Sequence, residues 1–159
     1  METITLRPIA VVRSPVSADK EDFWGDVQAS IELDPERFGP EALQGLADHS
    51  HVEVIFHFHK LSEESVTRGT RHPRGNPNWP EVGIFAQRAK ARPNRLGATI
   101  CRIIAVEGLK LIVSALDAFD GTPVLDIKPV LAEFLPDKAE VRQAAWAREL
   151  MRNYFETER

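Results

Sequence analysis

The sequence predicts a mainly β fold, an antiparallel β-barrel built from a single sheet, with short helices and a C-terminal helix. Six or seven short stretches alternate apolar and polar residues or are rich in β-branched and aromatic residues. Helical stretches are few, and no strand–helix–strand alternation points to a parallel sheet. No G-x-G-x-x-G follows a strand, so a Rossmann-type cofactor site is not indicated.

The N-terminal half supplies three of these strands and one short helix. Residues 4–13 begin with alternation and stop at Ser14-Pro15, which predicts a strand and then a turn. Residues 27–33 alternate strictly, as a half-buried strand does. Residues 40–47 open on a proline and place two leucines on one face, which predicts a short helix. Residues 51–59 are rich in β-branched and aromatic side chains and predict a third strand.

The C-terminal half supplies the remaining elements. Three prolines and two glycines make residues 67–80 a long loop, of a length that favours a functional or mobile segment. Further strands are predicted at residues 82–86, 96–106, 109–116 and 124–130, with a tight turn at residues 107–108. Residues 141–155 carry a broad apolar stripe and predict a helix. We therefore divide the chain into a barrel domain, residues 1–135, and a helical extension, residues 136–159.

Composition indicates one globular domain in a reducing compartment. The 159 residues are 43% hydrophobic and 28% charged, which is a normal globular balance. The single cysteine, Cys101, lies in an apolar run, where a buried thiol is expected rather than a nucleophile. No signal peptide and no long apolar window are visible, so we expect a cytoplasmic protein without membrane or metal partners.

Charge is distributed unevenly along the chain. Residues 68–95, here called the basic segment, hold seven cationic residues and one acid, a net charge of +6. Because the whole chain carries −4, the remainder carries −10. Such asymmetry is typical of a phosphate-bearing partner, and it is equally typical of a surface whose arginines pair with acids elsewhere.

Residues 83–97, the first motif, form a polar loop between two strands. Arg88 and Arg92 lie four apart, Pro93-Asn94 closes the loop, and Gly97 opens the next strand. A rigid loop of this kind suits the binding of a carboxylate or phosphate. The alternative is a structural turn with surface arginines.

Residues 116–129, the second motif, place three aspartates among apolar residues. Aspartates in such surroundings need partners, so they are expected to face arginines, cap turns or hold a ligand. The simpler interpretation is a capped turn with an ion pair between Asp126 and Lys128, which share a strand face.

Two further features leave alternatives open. His57 and His59 lie two apart in a predicted strand and would suit two metal ligands, but no third ligand is visible and hydrogen-bonded barrel histidines are favoured. Trp79 lies in a loop with several cations, a combination that suits phosphate contact and base stacking or a loop whose tryptophan plugs its base.

Together the motifs resemble those of the TrmO-like family (also called TsaA-like or YaeB-like), which are S-adenosylmethionine-dependent tRNA methyltransferases. The matching residues of the first motif are Gly83, Phe85, Ala86, Arg88, Arg92, Pro93, Asn94 and Gly97. The second motif matches from Leu116 to Pro129, and a third family feature matches at Ser50-His51 and Phe58-His59. The resemblance covers about residues 6–131.

The resemblance implies a homodimeric barrel that binds S-adenosyl-L-methionine at its mouth and N6-methylates threonylcarbamoyladenosine beside the tRNA anticodon. The cofactor-binding candidates that it implies are His59, Lys60, Arg88, Ala98, Asp120, Gly121, Thr122 and Pro123. Asp126 and Asn94 are the catalytic candidates, Asp126 as a proton acceptor. The RNA-binding candidates are Arg71, Arg74, Arg92 and Arg95.

The chain departs from the family pattern in three places. Gln87-Arg88-Ala89-Lys90 replaces Thr-Arg-Ser-Pro, Asn94-Arg95-Leu96-Gly97 replaces Asn-Pro-Ile-Gly, and residues 22–26 replace an early Pro-Arg-Gln. These changes leave two alternatives to tRNA methylation: methylation of another RNA or a small molecule, and cofactor or RNA binding without catalysis.

Overall fold

The computed structural model describes residues 1–158 and is a closed antiparallel barrel with a helical C-terminal segment. Within this range six strands form the barrel: β1 (Ala10–Arg13), β2 (Gln28–Leu33), β3 (His51–His57), β6 (Leu96–Glu107), β7 (Lys110–Ser114) and β8 (Pro123–Pro129). Around the barrel they follow the circular order β1-β2-β7-β6-β3-β8. The predicted single-sheet barrel is confirmed.

Alternation along the strands decides which side chains fill the barrel. In β3, Val52, Val54 and Phe56 are at most 1% exposed, while the residues between them face outward and are half-buried. β6 runs beside β3 and brings Gly97 opposite Phe56. A Cβ atom at Gly97 would lie 2.5 Å from two atoms of the Phe56 ring, so this ring occupies the space that a side chain would need.

The long hairpin of β6 and β7 turns at Gly108, whose φ of 61° suits glycine. A bulge near Ile104 leaves this side chain 46% exposed. Cys101 is fully buried on the inner face, and burial raises the pKa of its thiol. The expectation of a structural cysteine is confirmed.

Two predicted N-terminal elements are shorter than expected. The strand at residues 4–13 is reduced to β1, because Ile4 and Leu6 lie beyond the strands that could pair with them and are 81% and 59% exposed. The helix at residues 40–47 is replaced by two 3₁₀ turns, which Gly45 separates with a φ of 83°.

The loop region and the C-terminus also differ from the prediction. Two short strands, β4 (Thr70–Arg71) and β5 (Val82–Gly83), pair with each other, so the predicted strand at residues 82–86 is cut short by a 3₁₀ turn. The helix predicted at residues 141–155 is confined to α1 (Ala145–Leu150). It ends early because the carbonyls of Asn153 and Tyr154 accept hydrogen bonds from Phe23 and Trp24. Arg159, the last residue of the predicted extension, lies outside the described residues.

No helix within residues 1–158 has the length and apolarity needed to cross a lipid bilayer.

Candidate functional site

The strand order gathers both motifs at one end of the barrel, here called the motif end. In an antiparallel barrel the strands run alternately up and down, so each connection belongs to one end or the other. β1, β3 and β7 finish at the end where β2, β6 and β8 begin. The loops at residues 14–27, 58–95 and 115–122 therefore all emerge together, and the last two contain most of the motif residues.

The turn of the second motif lies beside His59. The carboxylate of Asp120 accepts a hydrogen bond from the backbone of Ser14 at 3.1 Å, and its backbone N–H donates to Val16 at 2.8 Å. Gly121 has a φ of 79°, and a Cβ atom there would lie 3.8 Å from Nε2 of His59. This turn is thus fixed to the loop after β1 and leaves the imidazole next to a bare backbone.

Lys60, Thr122 and Pro123 hold the same region together. The ammonium of Lys60 donates to the carbonyl of Ser17 and lies 5.5 Å from the centre of the Phe119 ring. Thr122 is 3% exposed and its carbonyl accepts the Val12 N–H at 2.9 Å. Pro123 begins β8 opposite Val11.

The first motif brings Arg88 to the barrel edge. Its exposed guanidinium donates to the carbonyl of Ala98 on β6. The preceding residue, Gln87, is buried, and its amide donates to the carbonyls of Arg71 and Val82, each at 3.0 Å. Arg92 Nη1 donates to the carbonyl of Gln87 at 2.8 Å. The family departure at Gln87 is therefore a structural brace of the loop that presents Arg88.

Asp117 forms a hydrogen-bonded cluster that the sequence analysis did not identify. Its Oδ1 accepts the Thr99 hydroxyl at 2.5 Å, and its Oδ2 accepts the Tyr154 hydroxyl at 2.5 Å. Burial and the Asp117 charge raise the pKa of Tyr154, while Arg74 and Arg88 oppose that shift. The only signal in the sequence was the position of Asp117 in the second motif, because nothing local links residues 117 and 154.

The segment of residues 145–158, the C-terminal segment, docks across the motif end. Its backbone pairs with Phe23 and Trp24, and Asp22 in the same loop binds Arg74 through two hydrogen bonds of 2.7 and 3.0 Å. The Arg74 guanidinium lies 6.0 Å from the Tyr154 ring centre. The C-terminal segment, the loop of residues 14–27 (the early loop) and the basic segment therefore meet at one place.

The catalytic candidates lie apart from this cluster. Asp126 lies on the outer face of β8, where its carboxylate pairs with the Lys128 ammonium at 2.6 Å, as the strand pattern predicted. Its other side-chain hydrogen bond within residues 1–158 is from the Ile127 backbone, at 2.9 Å. Asn94 is exposed in the loop before β6, with a left-handed φ of 63°. Their catalytic role stays a prediction.

Most of the RNA-binding candidates have protein partners. Arg74 binds Asp22, Arg92 binds the Gln87 carbonyl, and Arg95 donates to the carbonyl of Leu61 and lies 3.7 Å from Glu63. Arg71 is half-buried beside β5. These contacts leave RNA binding a prediction, with Arg74 the most firmly engaged of the four.

The strand that would carry both His57 and His59 ends at His57. Among the described residues, 1–158, no three His, Cys, Asp or Glu side chains lie close enough to hold a metal ion.

Both histidines have a lowered pKa, in each case chiefly because they are partly buried. Arg95 adds to the effect at His57, and Lys60 and His57 add to it at His59, where Asp120 opposes it. At a pH above the ordinary histidine pKa of about 6.5 neither the folded nor the unfolded chain is protonated at these sites. The two histidines therefore do not lower the free energy of unfolding there.

We expect stability to decrease as the pH falls below about 6.5, since the unfolded chain then binds protons that the folded chain resists. Thermal unfolding at several pH values measures this, and His57→Gln/His59→Gln should flatten the decrease. His49→Gln, at a histidine outside the motif end, serves as the control. An equally steep pH dependence in the double variant would contradict the assignment.

A family model described as the tRNA-methyltransferase O N-terminal domain matches residues 17–135. The tRNA (adenine(37)-N6)-methyltransferase of Escherichia coli is 38% identical, over 94% of this chain and 68% of that protein. A Methanothermobacter thermautotrophicus protein named "Probable S-adenosyl-L-methionine-binding protein" is 38% identical, over 79% of this chain and 89% of its own length.

The chain is also similar to solved structures. The crystal structure of TrmO from Pseudomonas aeruginosa has a TM-score of 0.70 and 30% identity, and the match covers 91% of this chain and 63% of that one. The chain thus spans less than two thirds of this structure, and about half the length of a curated Pseudomonas aeruginosa relative.

Proposed function

The chain belongs to the tRNA-methyltransferase O family, and on that premise we propose that it is an S-adenosyl-L-methionine-dependent tRNA methyltransferase. The proposed reaction is N6-methylation of threonylcarbamoyladenosine next to the anticodon. The observation that carries this proposal is the convergence of both family motifs at the motif end of a barrel whose fold matches solved relatives. We place the reaction in the cytoplasm, in keeping with the single buried cysteine.

The residues at the motif end fit the proposed cofactor. S-adenosylmethionine carries a carboxylate, an ammonium and a sulfonium, so its site needs both signs of charge. Arg88 and Lys60 supply cations, and the Asp117 and Asp120 carboxylates supply anions, all from the loops of this end. The bare backbone at Gly121 beside His59 lets a ligand approach closely.

The bound cofactor would supply an already activated methyl group, so the protein's task is alignment and exclusion of water. Arg88 orients the cofactor's carboxylate, and the Asp120–Pro123 turn holds its polar groups. Asn94 orients the adenine of the RNA substrate, and Asp126 accepts the proton that leaves the N6 nitrogen of that adenine. To do so, Asp126 must give up its ion pair with Lys128 when the RNA is bound.

RNA binding is assigned to the basic segment, with Arg71, Arg92 and Arg95 as the phosphate contacts. Arg74 acts differently from the other three, because its bidentate bond to Asp22 makes it the link between this segment and the early loop. The division of the chain into a barrel domain, residues 1–135, and a helical extension, residues 136–159, is part of this proposal.

The direct test is methyl transfer with the purified chain. Labelled S-adenosyl-L-methionine and tRNA from a strain lacking this methyl group are incubated together, and the nucleosides are separated by chromatography with mass detection. Label on threonylcarbamoyladenosine supports the proposal. Label on another nucleoside would show that the enzyme methylates a different substrate. Absence of both label and cofactor binding by calorimetry would reject the methyltransferase proposal.

The homodimer is part of the proposal, and the outer face of β6 supports it. Leu96, Ile100 and Ile104 are 37%, 44% and 46% exposed there, next to the half-buried Ile55 of β3. Exposed apolar side chains along a barrel wall, here interrupted by the exposed Arg102, are typical of a protein interface. The same wall holds Ala98, so a partner seated on it would lie close to the Arg88 contact.

We expect Ile100→Lys to convert the dimer to monomers, because each copy would bury a charge in the apolar strip. In the monomer the new ammonium can pair with Glu53, its neighbour on β3. Val11→Lys is the matched control: Val11 also faces outward beside a glutamate, Glu32, but on β1, opposite β6 in the barrel. Analytical ultracentrifugation measures both variants, and a dimeric Ile100→Lys protein, or a monomeric wild type, would contradict the interface.

A further inference from the structure

A cleft of about 340 Å³ lies between the loop before β5 and helix α1, outside the residues assigned to the cofactor. Two half-buried indoles, Trp79 and Trp146, line it from opposite elements. Its other lining residues are Asn78, Pro80, Ala145 and Glu149. This volume lies at the lower end of the roughly 300–1,000 Å³ typical of ligand sites.

Trp79 is held in place from both sides. Its indole Nε1 donates to Oε2 of Glu149 at 2.8 Å, and its carbonyl accepts a hydrogen bond from Nδ1 of His72 at 2.7 Å. Its backbone N–H donates to the carbonyl of Asn76 at 3.1 Å. An aromatic ring fixed in this way loses little conformational entropy when a planar ligand stacks on it.

Two arginines lie close to the cleft along the chain. Arg148 precedes Glu149 directly, and Arg152 follows one turn later, its backbone N–H donating to the Glu149 carbonyl at 3.2 Å. Both residues are exposed. Neither residue lines the cleft, so in an RNA complex their role would be contact with phosphates that flank a base held between the indoles.

Glu149 adds selectivity for the base. One of its carboxylate oxygens accepts the Trp79 indole, which leaves the other to accept a hydrogen bond from a ligand. Adenine, cytosine and guanine have an exocyclic amino group that can donate to it. Uracil has carbonyl oxygens at those positions, and its one donor on that edge, the N3–H, lies between them and offers a single hydrogen instead of an amino group.

We propose that this cleft binds an unpaired nucleobase of the RNA substrate, one with an exocyclic amino group, stacked on Trp79 and Trp146. The proposal rests on the proposed function for its choice of RNA. Glu149 and Tyr154 are five positions apart, at most about 18 Å of chain, so the cleft and the Asp117 cluster can bind bases of the same loop.

Binding of short fluorescein-labelled oligoadenylate and oligouridylate, followed by fluorescence anisotropy, tests the proposal. The wild type should prefer oligoadenylate. Trp146→Ala should weaken oligoadenylate binding by about tenfold, since one of the two rings on which the base stacks is lost, and Trp146→Phe should retain most of the affinity. Phe134→Ala, at an aromatic residue that is 84% exposed elsewhere, is the control and should change nothing.

A second variant tests the role of the carboxylate. Glu149→Gln keeps an oxygen for Trp79 and turns the other position into a donor, so it should reverse the preference towards oligouridylate. Thermal unfolding of each variant checks that the chain is folded.

Three results would overturn the proposal: a wild type that binds neither oligonucleotide, a folded Trp146→Ala protein with unchanged affinity, or an unchanged base preference in Glu149→Gln. The adenine of the cofactor could also occupy the cleft, and calorimetry with S-adenosylhomocysteine distinguishes the two. If Trp146→Ala loses binding of S-adenosylhomocysteine but not of oligoadenylate, the cleft belongs to the cofactor. If methyl transfer and cofactor binding both fail in the wild type while these differences persist, the cleft stands and the methyltransferase proposal falls.

Discussion

Asp117→Ala is expected to lower the free energy of unfolding by about 2–4 kcal/mol and to abolish most methyl transfer. The hydroxyls of Thr99 and Tyr154 each lose a charged acceptor, at roughly 1–2 kcal/mol each. Activity falls further because the C-terminal segment loses its bond to the loop between β7 and β8, and the motif end loses an anion. Urea denaturation and initial rates of methyl transfer measure the two effects separately.

The same cluster offers its own control. Removing both partners of a hydrogen bond is less costly than removing one, so Asp117→Ala/Thr99→Val/Tyr154→Phe should recover much of the stability lost in the single variant. It should not recover activity, because the carboxylate is still absent. Additive losses of stability would show that the three groups act independently, and recovered activity would give Asp117 a purely structural role.

Gly97→Ala is expected to lower the free energy of unfolding by about 1–3 kcal/mol, although it adds one methyl group. The new Cβ atom would lie 2.5 Å from two atoms of the Phe56 ring, which is 1% exposed and has no free space to move into. Urea denaturation of the folded chain measures the loss.

Two companion variants make this test specific. Gly83→Ala changes another glycine of the first motif, but its Cβ atom would meet nothing within 4 Å, so stability should be unchanged. Phe56→Leu destabilises the chain by itself, yet it makes room for the new methyl group. The double variant Phe56→Leu/Gly97→Ala should therefore lose less free energy of unfolding than the two single variants lose in sum. Equal effects at Gly83 and Gly97 would contradict the packing explanation.

One departure from the family pattern has a structural explanation in the C-terminal segment. The loop of residues 22–26, which replaces the family's early Pro-Arg-Gln, packs against the C-terminal segment. In the structure they bind each other: a Cβ atom at Gly25 would lie 2.1 Å from the carbonyl of Phe155, and Trp24 is 2% exposed. Neither is explained alone, because each provides the surface on which the other packs.

The sequence by itself determined the fold class, the barrel strands and the two motifs. Alternation with a period of two depends only on neighbouring residues, so Val52, Val54 and Phe56 could be assigned to the core without knowing their partners. The pair of Asp126 and Lys128 was predictable for the same reason. Where local pattern and tertiary contact disagreed, as in the helix that ends at Leu150, the prediction was wrong in extent.

Only the tertiary structure decided how the motif end is assembled. The Tyr154 bond to Asp117, the Arg74 bond to Asp22 and the cleft between Trp79 and Trp146 join residues 37, 52 and 67 positions apart. Such contacts depend on which ends of the strands meet and on where the C-terminal segment docks. The residues next to a tyrosine, an arginine or a tryptophan in the sequence do not indicate its distant partner. That partner comes within contact distance only when the barrel closes.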